Sequence, residues 1–128
     1  MRVLLDTQLA FWWLVEPARV PESLRVLLTL AGTEAWVSHV TLWELALQQQ
    51  QGRANLELSH FIRQAERDGF HWLPVTAEHL HAVTELVQLP LAMDDFDRLL
   101  LAQSVAEPLM LLTTDQTLAN CGAPVRLM

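Results

Sequence analysis

The sequence contains no lysine, because all eight residues of the Lys+Arg class are arginines. Any chemistry that requires a lysine amine, such as a Schiff base or the lysine that supports phosphoryl transfer, is therefore excluded for every fold. Cysteine is almost as scarce. The single residue Cys121 excludes an intrachain disulfide framework and favours a reducing cytoplasm as the compartment.

Long hydrophobic runs are missing as well. No apolar stretch approaches the roughly 18 residues that span a bilayer, and no basic leader with a cleavage site is present, so we expect neither membrane insertion nor secretion. Positive charge is also in short supply, and the formal net charge is −7. Taken alone, that charge argues against nucleic acid as a partner, since phosphate binding usually requires a basic surface.

Apolar residues are plentiful. They make up 52% of the 128 residues, and the mean hydropathy is +0.22. A chain of this length and composition can bury a real hydrophobic core. We therefore expect a single domain over residues 1–128.

Short apolar runs alternate with helical patterns along the whole chain. The predicted strands are residues 2–5, 35–38, 72–75, 109–113 and 125–127. Predicted helices lie between them, including one that starts at Thr41, one over residues 57–68 and one that starts at Asp94. The best strands are continuously apolar, which is typical of a parallel sheet covered on both faces, and Pro74 places the third strand at an edge. The pattern predicts an α/β fold with a central, mostly parallel sheet of about five strands flanked by helices.

Acidic residues recur where predicted strands end and predicted helices begin. Asp6 follows the first strand and Asp115 follows the strand 109–113, while Glu44, Asp94 and Asp97 open helices. In a parallel sheet the carboxyl ends of the strands and the following helix N-termini share one edge, where ligands bind. We therefore expect all these carboxylates to meet at one edge of the sheet.

Each of these acids also has an ordinary structural explanation. Asp6 and Asp115 suit N-cap positions, Thr41 and Glu44 match a capping box, and Asp94 with Asp97 form a similar pair. A helix dipole contributes only about 0.3–1 kcal/mol, which is small against the repulsion among several close carboxylates. A hard divalent cation resolves that repulsion, and Mg²⁺ or Mn²⁺ suits an oxygen-only site. Zinc is disfavoured because the histidines show no ligand spacing.

Four motifs carry a resemblance to a known family. They are Leu-Leu-Asp-Thr at 4–7, Val-Ser-x-x-x-Leu-Trp-Glu-Leu at 37–45, Asp-x-Phe-Asp-Arg-Leu-Leu-Leu-Ala-Gln at 94–103 and Leu-Thr-Thr-Asp at 112–115. In order and spacing they resemble PIN-domain proteins, and most of all the bacterial toxins of VapC type. The resemblance implies a three-layer PIN fold, an endoribonuclease that depends on Mg²⁺ or Mn²⁺, and a cognate VapB-like antitoxin that blocks the active site.

The resemblance also implies roles for particular residues. Asp6, Glu44, Asp97 and Asp115 match the family's acidic quartet and are the expected metal-binding and catalytic residues. Asp94 is an additional candidate metal ligand. The family often has His-Arg followed by Asp-Pro-Phe-Asp-Arg at this point, whereas the present chain has Ala92-Met93 and a second aspartate in place of the proline.

Four further residues are candidates for binding substrate. Arg98 is expected to contact phosphate, although an ion pair with Asp94 one helical turn away is an equal alternative. Thr7, Ser38 and Thr113 are expected to orient water or substrate, with helix capping as the alternative. With this set, the predicted reaction is metal-assisted hydrolysis of an RNA phosphodiester bond.

The tryptophans divide into two groups. Trp12 and Trp13 lie about 100° apart around a helix, so one of them is expected on an apolar surface for a second copy, giving a homodimer, or for an antitoxin helix. Trp36, Trp43 and Trp72 fall in strand or core-helix patterns and are expected to pack in the interior.

Other functions fit parts of the same pattern. A PIN-type nuclease for RNA processing or for particular nucleic acid structures, and a catalytically silent PIN-like binding module, both remain open. Receiver domains and aspartyl-phosphate phosphatases also place acids at the edge of a parallel sheet, but they rely on a lysine that this chain lacks.

Overall fold

Five parallel strands form the centre of the molecule. The computed structural model describes residues 1–53, 55–86, 89–90, 92–122 and 124–128. The strands are β1 (Arg2–Leu5), β2 (Glu34–Ser38), β3 (His71–Leu73), β4 (Met110–Thr113) and β5 (Val125–Leu127). All pairs are parallel, and the order across the sheet is β3-β2-β1-β4-β5. The prediction of an α/β fold with a parallel sheet of about five strands is confirmed.

The described part of the chain contains seven α-helices. They are α1 (Thr7–Val15), α2 (Glu22–Thr29), α3 (His39–Gln50), α4 (Leu58–Arg67), α5 (Ala77–Val83), α6 (Asp95–Ala106) and α7 (Gln116–Ala119), and a 3₁₀ turn covers Pro17–Arg19. None of the helices within the described residues combines the length and the apolar character needed to cross a lipid bilayer.

Two hydrophobic cores, one on each face of the sheet, produce the three layers. Val3 and Leu5 of β1 join the core beneath α1, α2, α3 and α4, whereas Leu4 joins the core beneath α6 and α7. This division follows from the pleat of a strand, which sends successive side chains to opposite faces. All three β1 side chains are completely buried, as expected for the central strand of a sheet covered on both sides.

The strand order places a crevice beside β1. The chain moves from β1 outward through β2 to β3, then returns to the other side of β1 for β4 and β5. Where the direction of progression changes, the loops at the carboxyl ends of neighbouring strands separate, and this crevice is the usual ligand site of such sheets. Asp6 follows β1 and Asp115 lies two residues after β4, so both belong to this crevice.

Several predicted element bounds need correction. Helix α3 begins at His39 and not at Thr41, because the Ser38 side chain accepts a hydrogen bond from the Val40 amide and caps the helix one turn earlier. Strand β3 ends at Leu73, before Pro74, but it lies at the edge of the sheet as predicted.

Candidate active site

Asp6 stands at the point where β1 passes into α1. Its Oδ1 accepts a hydrogen bond from the Leu9 amide at 2.9 Å, which makes it the N-cap of α1. Its Oδ2 accepts a second hydrogen bond, at 2.5 Å, from the hydroxyl of Thr113 at the end of β4. The residue is 5% exposed. Asp6 is therefore both a cap and a buried carboxylate fixed by two donors.

Thr113 connects Asp6 to the second acid of this edge. The same hydroxyl that donates to Asp6 accepts a hydrogen bond from the Asp115 amide at 2.9 Å. Asp115 in turn caps α7 through Oδ1, which accepts from the Thr117 amide at 2.8 Å. The Thr113 hydroxyl therefore contacts two candidate metal ligands, donating to one and accepting from the other.

Glu44 lies in the second turn of α3 and reaches the site from the other side of β1. The Thr7 side chain donates a hydrogen bond to the Glu44 carboxylate. The Thr7 hydroxyl oxygen also lies 3.0 Å from the hydroxyl oxygen of Thr41, which is buried. Thr41 is inside the helix and Ser38 is its cap, so the capping box of Thr41 and Glu44 does not form. That structural explanation for Glu44 is therefore removed.

Asp94 and Asp97 reach the site from the start of α6. Asp94 caps the helix, with Oδ1 accepting from the Phe96 amide at 2.7 Å. Asp97 lies in the first turn and is half-buried, and no residue in the described part of the chain donates a hydrogen bond to its carboxylate. The capping-box pairing of these two acids is therefore also absent.

One cavity of about 730 Å³ joins all five predicted acids. Its walls come from α1, α3, the start of α6 and the turn after β4. The lining residues are Asp6, Thr7, Gln8, Phe11, Val15, Glu16, Glu44, Leu45, Gln48, Arg53, Asn55, Asp94, Asp97, Thr114 and Asp115. Six of these side chains are carboxylates and one is an arginine, so we call this space the acidic cavity.

Electrostatics within the acidic cavity disfavour ionisation. Burial raises the pKa of Asp6 to about 6, against the opposing hydrogen bonds from Thr113 and Leu9. Burial also raises the pKa of Asp97 to about 7, and the charges of Asp6, Asp94, Glu44 and Asp115 add to the increase. The pKa of Glu44 is raised by burial, partly offset by Thr7. Perturbed carboxylates that repel one another across a cleft are typical of sites that bind a cation.

The donor chemistry of the cavity suits a hard divalent cation, but the carboxylates are not yet gathered around a single point. Oxygen groups dominate the lining, with neither cysteine nor histidine among the lining residues, as Mg²⁺ and Mn²⁺ prefer. Within the described residues, however, no three side chains of His, Cys, Asp or Glu stand close enough together to hold a metal ion as they are placed. Binding would therefore require side-chain rotation that brings the carboxylates closer together.

Two of the predicted substrate-binding residues lie elsewhere. Arg98 donates from Nε to the Met93 carbonyl at 3.2 Å and from Nη2 to the Pro90 carbonyl at 2.9 Å, and it forms an ion pair with Asp95 at 3.6 Å. It is not among the residues that line the acidic cavity. The ion pair expected as an alternative thus forms with Asp95 three residues before it, not with Asp94.

Ser38 is a structural residue as well. It is fully buried, caps α3 and donates to Oε1 of Gln103 at 2.5 Å. Gln103 also donates to His79 Nδ1 at 3.2 Å. The side chain of Ser38 therefore joins α3 to α6 beneath the acidic cavity and does not line it.

Trp43 departs from the prediction that it packs in the interior. It is 56% exposed, and its ring contacts the Phe96 ring in an edge arrangement with centroids 4.9 Å apart. The two aromatic residues precede Glu44 and Asp97 in the sequence. Trp12 and Trp13 are both half-buried against the core of the α1 face.

Several lining residues were not predicted. Gln48 follows Glu44 by one helical turn, a signal that helical spacing would have supplied once Glu44 was chosen. Gln8 is the second residue of α1 and Glu16 is its C-cap, so the position of both depends on the direction of α1 across the sheet. Arg53 also lies on the wall of the acidic cavity.

The fold is similar to that of solved toxin–antitoxin complexes. The structure of the VapBC2 complex from Rickettsia felis bound to a promoter DNA fragment is similar to this chain with a TM-score of 0.70 and 18% identity, covering 100% of this chain and 98% of that one. A toxin–antitoxin complex from Klebsiella pneumoniae is similar with a TM-score of 0.67 and 16% identity, covering 97% and 95%. At these identities the similarity shows the fold.

Sequence comparison gives the family. No curated protein matches the chain. The family model described as PIN domain matches residues 3–123, which is nearly the whole sequence and includes all four motifs. The chain therefore belongs to the PIN domain family.

Proposed function

We propose that this protein is a VapC-type toxin, an endoribonuclease that hydrolyses RNA phosphodiester bonds and depends on Mg²⁺ or Mn²⁺. The observation that carries the proposal is the acidic cavity, in which six carboxylates face a single arginine. Asp6, Glu44, Asp97 and Asp115 are the proposed metal-binding and catalytic residues, with Asp94 as a further ligand. Residues 1–128 would form one PIN domain.

The acids that cap helices still have carboxylate lone pairs that could bind a metal ion. Asp94 and Asp115 each use Oδ1 for a helix cap, which leaves Oδ2 for another partner. Each carboxylate oxygen of Asp6 accepts one hydrogen bond and retains a second lone pair. The caps therefore leave carboxylate oxygens available, and helix capping by these acids is compatible with metal binding.

The acidic residues would have different roles in the site. Asp6 and Asp115 are fixed through the Thr113 hydroxyl, so they define the position of the site relative to β1 and β4. Asp97 has no such fixed partner among the described residues and exchanges its proton near neutral pH, since its pKa is about 7. A divalent ion would supply the Lewis acid that neutralises the scissile phosphodiester and activates water.

RNA, an antitoxin and a second copy are the proposed partners. The two solved structures compared above are toxin–antitoxin complexes, which supports a VapB-like antitoxin here. Large apolar side chains remain exposed for protein partners, including Trp43, Leu80 and Val105. The cytoplasm is the proposed compartment, which the single cysteine Cys121 supports.

The test is cleavage of a labelled single-stranded RNA by the purified chain, with Mn²⁺ or Mg²⁺ and with a chelator. We expect cleavage only with metal, and a loss of at least about a hundredfold in rate for Asp6→Asn and Asp97→Asn. Asp95→Asn is the matched control. It lies between the two α6 acids, its side chain is fully exposed at 100% and it does not line the cavity.

Further results would distinguish the toxin from the two alternative functions. RNA that binds without being cleaved, whatever the metal, would indicate a silent binding module. Preferential cleavage of structured RNA or DNA, without growth arrest on expression, would indicate a processing or structure-specific nuclease. Growth arrest that is relieved by Asp6→Asn and by a small protein encoded next to this one supports the toxin.

A further inference from the structure

A second cavity lies beside the acidic one. It has a volume of about 610 Å³ and is bounded by the end of α1, by α3, by residues 55–57 and by α4. Val15 and Asn55 line both cavities, so the two are contiguous. The Gln49 side chain accepts a hydrogen bond from the Leu58 amide at 2.8 Å and thereby fixes the start of α4 against α3.

The charge of this second cavity is the reverse of the first. Its wall on α4 carries His60, Arg63 and Arg67, and the only carboxylate among its lining residues is Glu57. The three basic residues follow at intervals of three and four, so they form a stripe on one face of α4. We call this space the basic cavity.

The arginines of the two cavities are not used for internal ion pairs. Arg2, Arg19, Arg25 and Arg98 each lie within 4.0 Å of a carboxylate oxygen. Within the described part of the chain, Arg53, Arg63 and Arg67 make no such pair, and neither does Arg126, which lies outside both cavities. Like charges one turn apart on a helix repel by a few tenths of a kcal/mol unless an anion lies between them.

We propose that the basic cavity binds backbone phosphates of the RNA strand whose scissile phosphodiester lies in the acidic cavity. Arg63 and Arg67 contact the phosphates, and Arg53 lies on the wall where the strand passes from one cavity to the other. A guanidinium matches the geometry of a phosphate through paired N–H donors. This inference rests on the proposed function and names where its substrate is held.

The arrangement also accounts for substrate binding by an acidic protein. The acidic cavity repels an RNA strand, whereas the adjoining stripe attracts it, and the contact is electrostatic and independent of base sequence. Arg63 and Arg67 therefore set the affinity for the strand, and the carboxylates set the position of cleavage.

The experiment measures binding of a short labelled single-stranded RNA in the presence of chelator, over a series of salt concentrations. Arg63→Gln/Arg67→Gln is compared with Arg25→Gln/Arg126→Gln, which removes two positive charges outside both cavities. We expect the first variant to bind about tenfold more weakly and its salt slope to fall by about 1.4, since each phosphate contact to a single strand contributes about 0.7. The control should retain the wild-type slope.

Two results would overturn the inference: equal affinity and slope in wild type and the Arg63/Arg67 variant, or an equal loss in the control. An Arg63/Arg67 variant that binds RNA normally but no longer binds a co-expressed acidic partner would assign the cavity to a protein. Because the assay contains no metal, it gives an answer even if the chain has no nuclease activity. Conversely, if wild type cleaves RNA but the Arg63/Arg67 variant binds RNA as tightly as wild type, the proposed function stands and only this inference fails.

Discussion

The Thr113 hydroxyl donates a hydrogen bond to Oδ2 of Asp6 at 2.5 Å, across a sequence separation of 107 residues. Asp6 directly follows β1 and Thr113 is the last residue of β4, and these two strands pair with each other in parallel. The same hydroxyl accepts from the Asp115 amide. One side chain of the buried strand β4 therefore sets the position of one acid from the beginning of the chain and one from its end.

Replacing Thr113 by valine tests this relationship. The Thr113 hydrogen bond lowers the pKa of Asp6 against the effect of burial, so Thr113→Val should raise that pKa further above about 6. The acid limb of the cleavage rate against pH should shift to higher pH, and the free energy of unfolding should fall by about 1–3 kcal/mol because a buried acceptor loses its donor. Thr113→Ser keeps the hydroxyl and should retain the wild-type profile. An identical pH profile for Thr113→Val would show that the hydroxyl has no influence on Asp6.

The raised pKa values also predict how stability depends on pH in the absence of metal. Between the ordinary aspartate pKa of 3.8 and the folded-state pKa values of about 6 for Asp6 and about 7 for Asp97, the native state holds more protons than the unfolded chain. Stability should therefore fall as pH rises through this range, by on the order of 1–3 kcal/mol for the buried Asp6. Thermal melts in chelator at about pH 5 and about pH 8 measure this difference.

Asp6→Asn provides the control for that measurement. The asparagine keeps an acceptor for the Leu9 amide and can donate to the Thr113 hydroxyl, while it has no charge to desolvate. It should therefore melt at a higher temperature than wild type at about pH 8, and the difference should shrink at about pH 5. Wild-type stability that rises with pH across this interval would contradict the raised pKa values of Asp6 and Asp97.

The buried hydrogen-bond chain between α3 and α6 gives a third prediction. Gln103 accepts from Ser38 and donates to His79 Nδ1, and His79 Nε2 lies 3.1 Å from Glu107. Gln103→Leu should lower the free energy of unfolding by about 2–4 kcal/mol, because buried polar partners are left unpaired. A double-mutant cycle with Ser38→Ala should show coupling of at least about 0.5 kcal/mol. Additive effects would mean that the pair does not act as a unit.

Arg98 gives a fourth prediction, which separates its observed role from the one expected on sequence. Its guanidinium holds the Pro90 and Met93 carbonyls before α6. Arg98→Met, which keeps the length of the side chain, should lower the free energy of unfolding by about 1–2 kcal/mol. The salt slope of RNA binding should stay unchanged. A slope lower by about 0.7 would instead show that Arg98 contacts a phosphate.

Much of the fold was accessible from the sequence for a physical reason. Continuous apolar runs such as β4 can be buried on both faces only in a covered parallel sheet. Once the sheet is parallel, the acids that follow β1 and β4 must share its carboxyl edge. The placement of Asp6 and Asp115 on one cavity follows from these two steps. The distances between the carboxylates cannot be predicted in this way, because they depend on the side-chain rotamers of the acidic residues.

The features that were missed depend on competition between local and distant partners. Arg98 lies within reach of carbonyls in the preceding turn, and its guanidinium donates hydrogen bonds to them and does not line the cavity. Ser38 is one turn earlier than the expected cap and displaces Thr41 from that role. Trp43 lies in an apolar stretch of α3 but is exposed, because the apolar residues of this helix are not confined to one face and the pattern does not tell which of them are buried. The basic stripe of α4 is visible as spacing, whereas its cavity requires the packing of α4 against α1 and α3.

Titration of the purified chain with Mn²⁺ at about pH 8, read by the electron spin resonance signal of the free ion, tests most directly whether the carboxylates of the acidic cavity act as one metal site. We expect saturable binding by wild type and by Asp95→Asn, and its loss in Asp97→Asn. Binding should also weaken as pH falls below about 7, where Asp97 takes up a proton. Absence of saturable binding, or undiminished binding by Asp97→Asn, would contradict a metal site in this cavity.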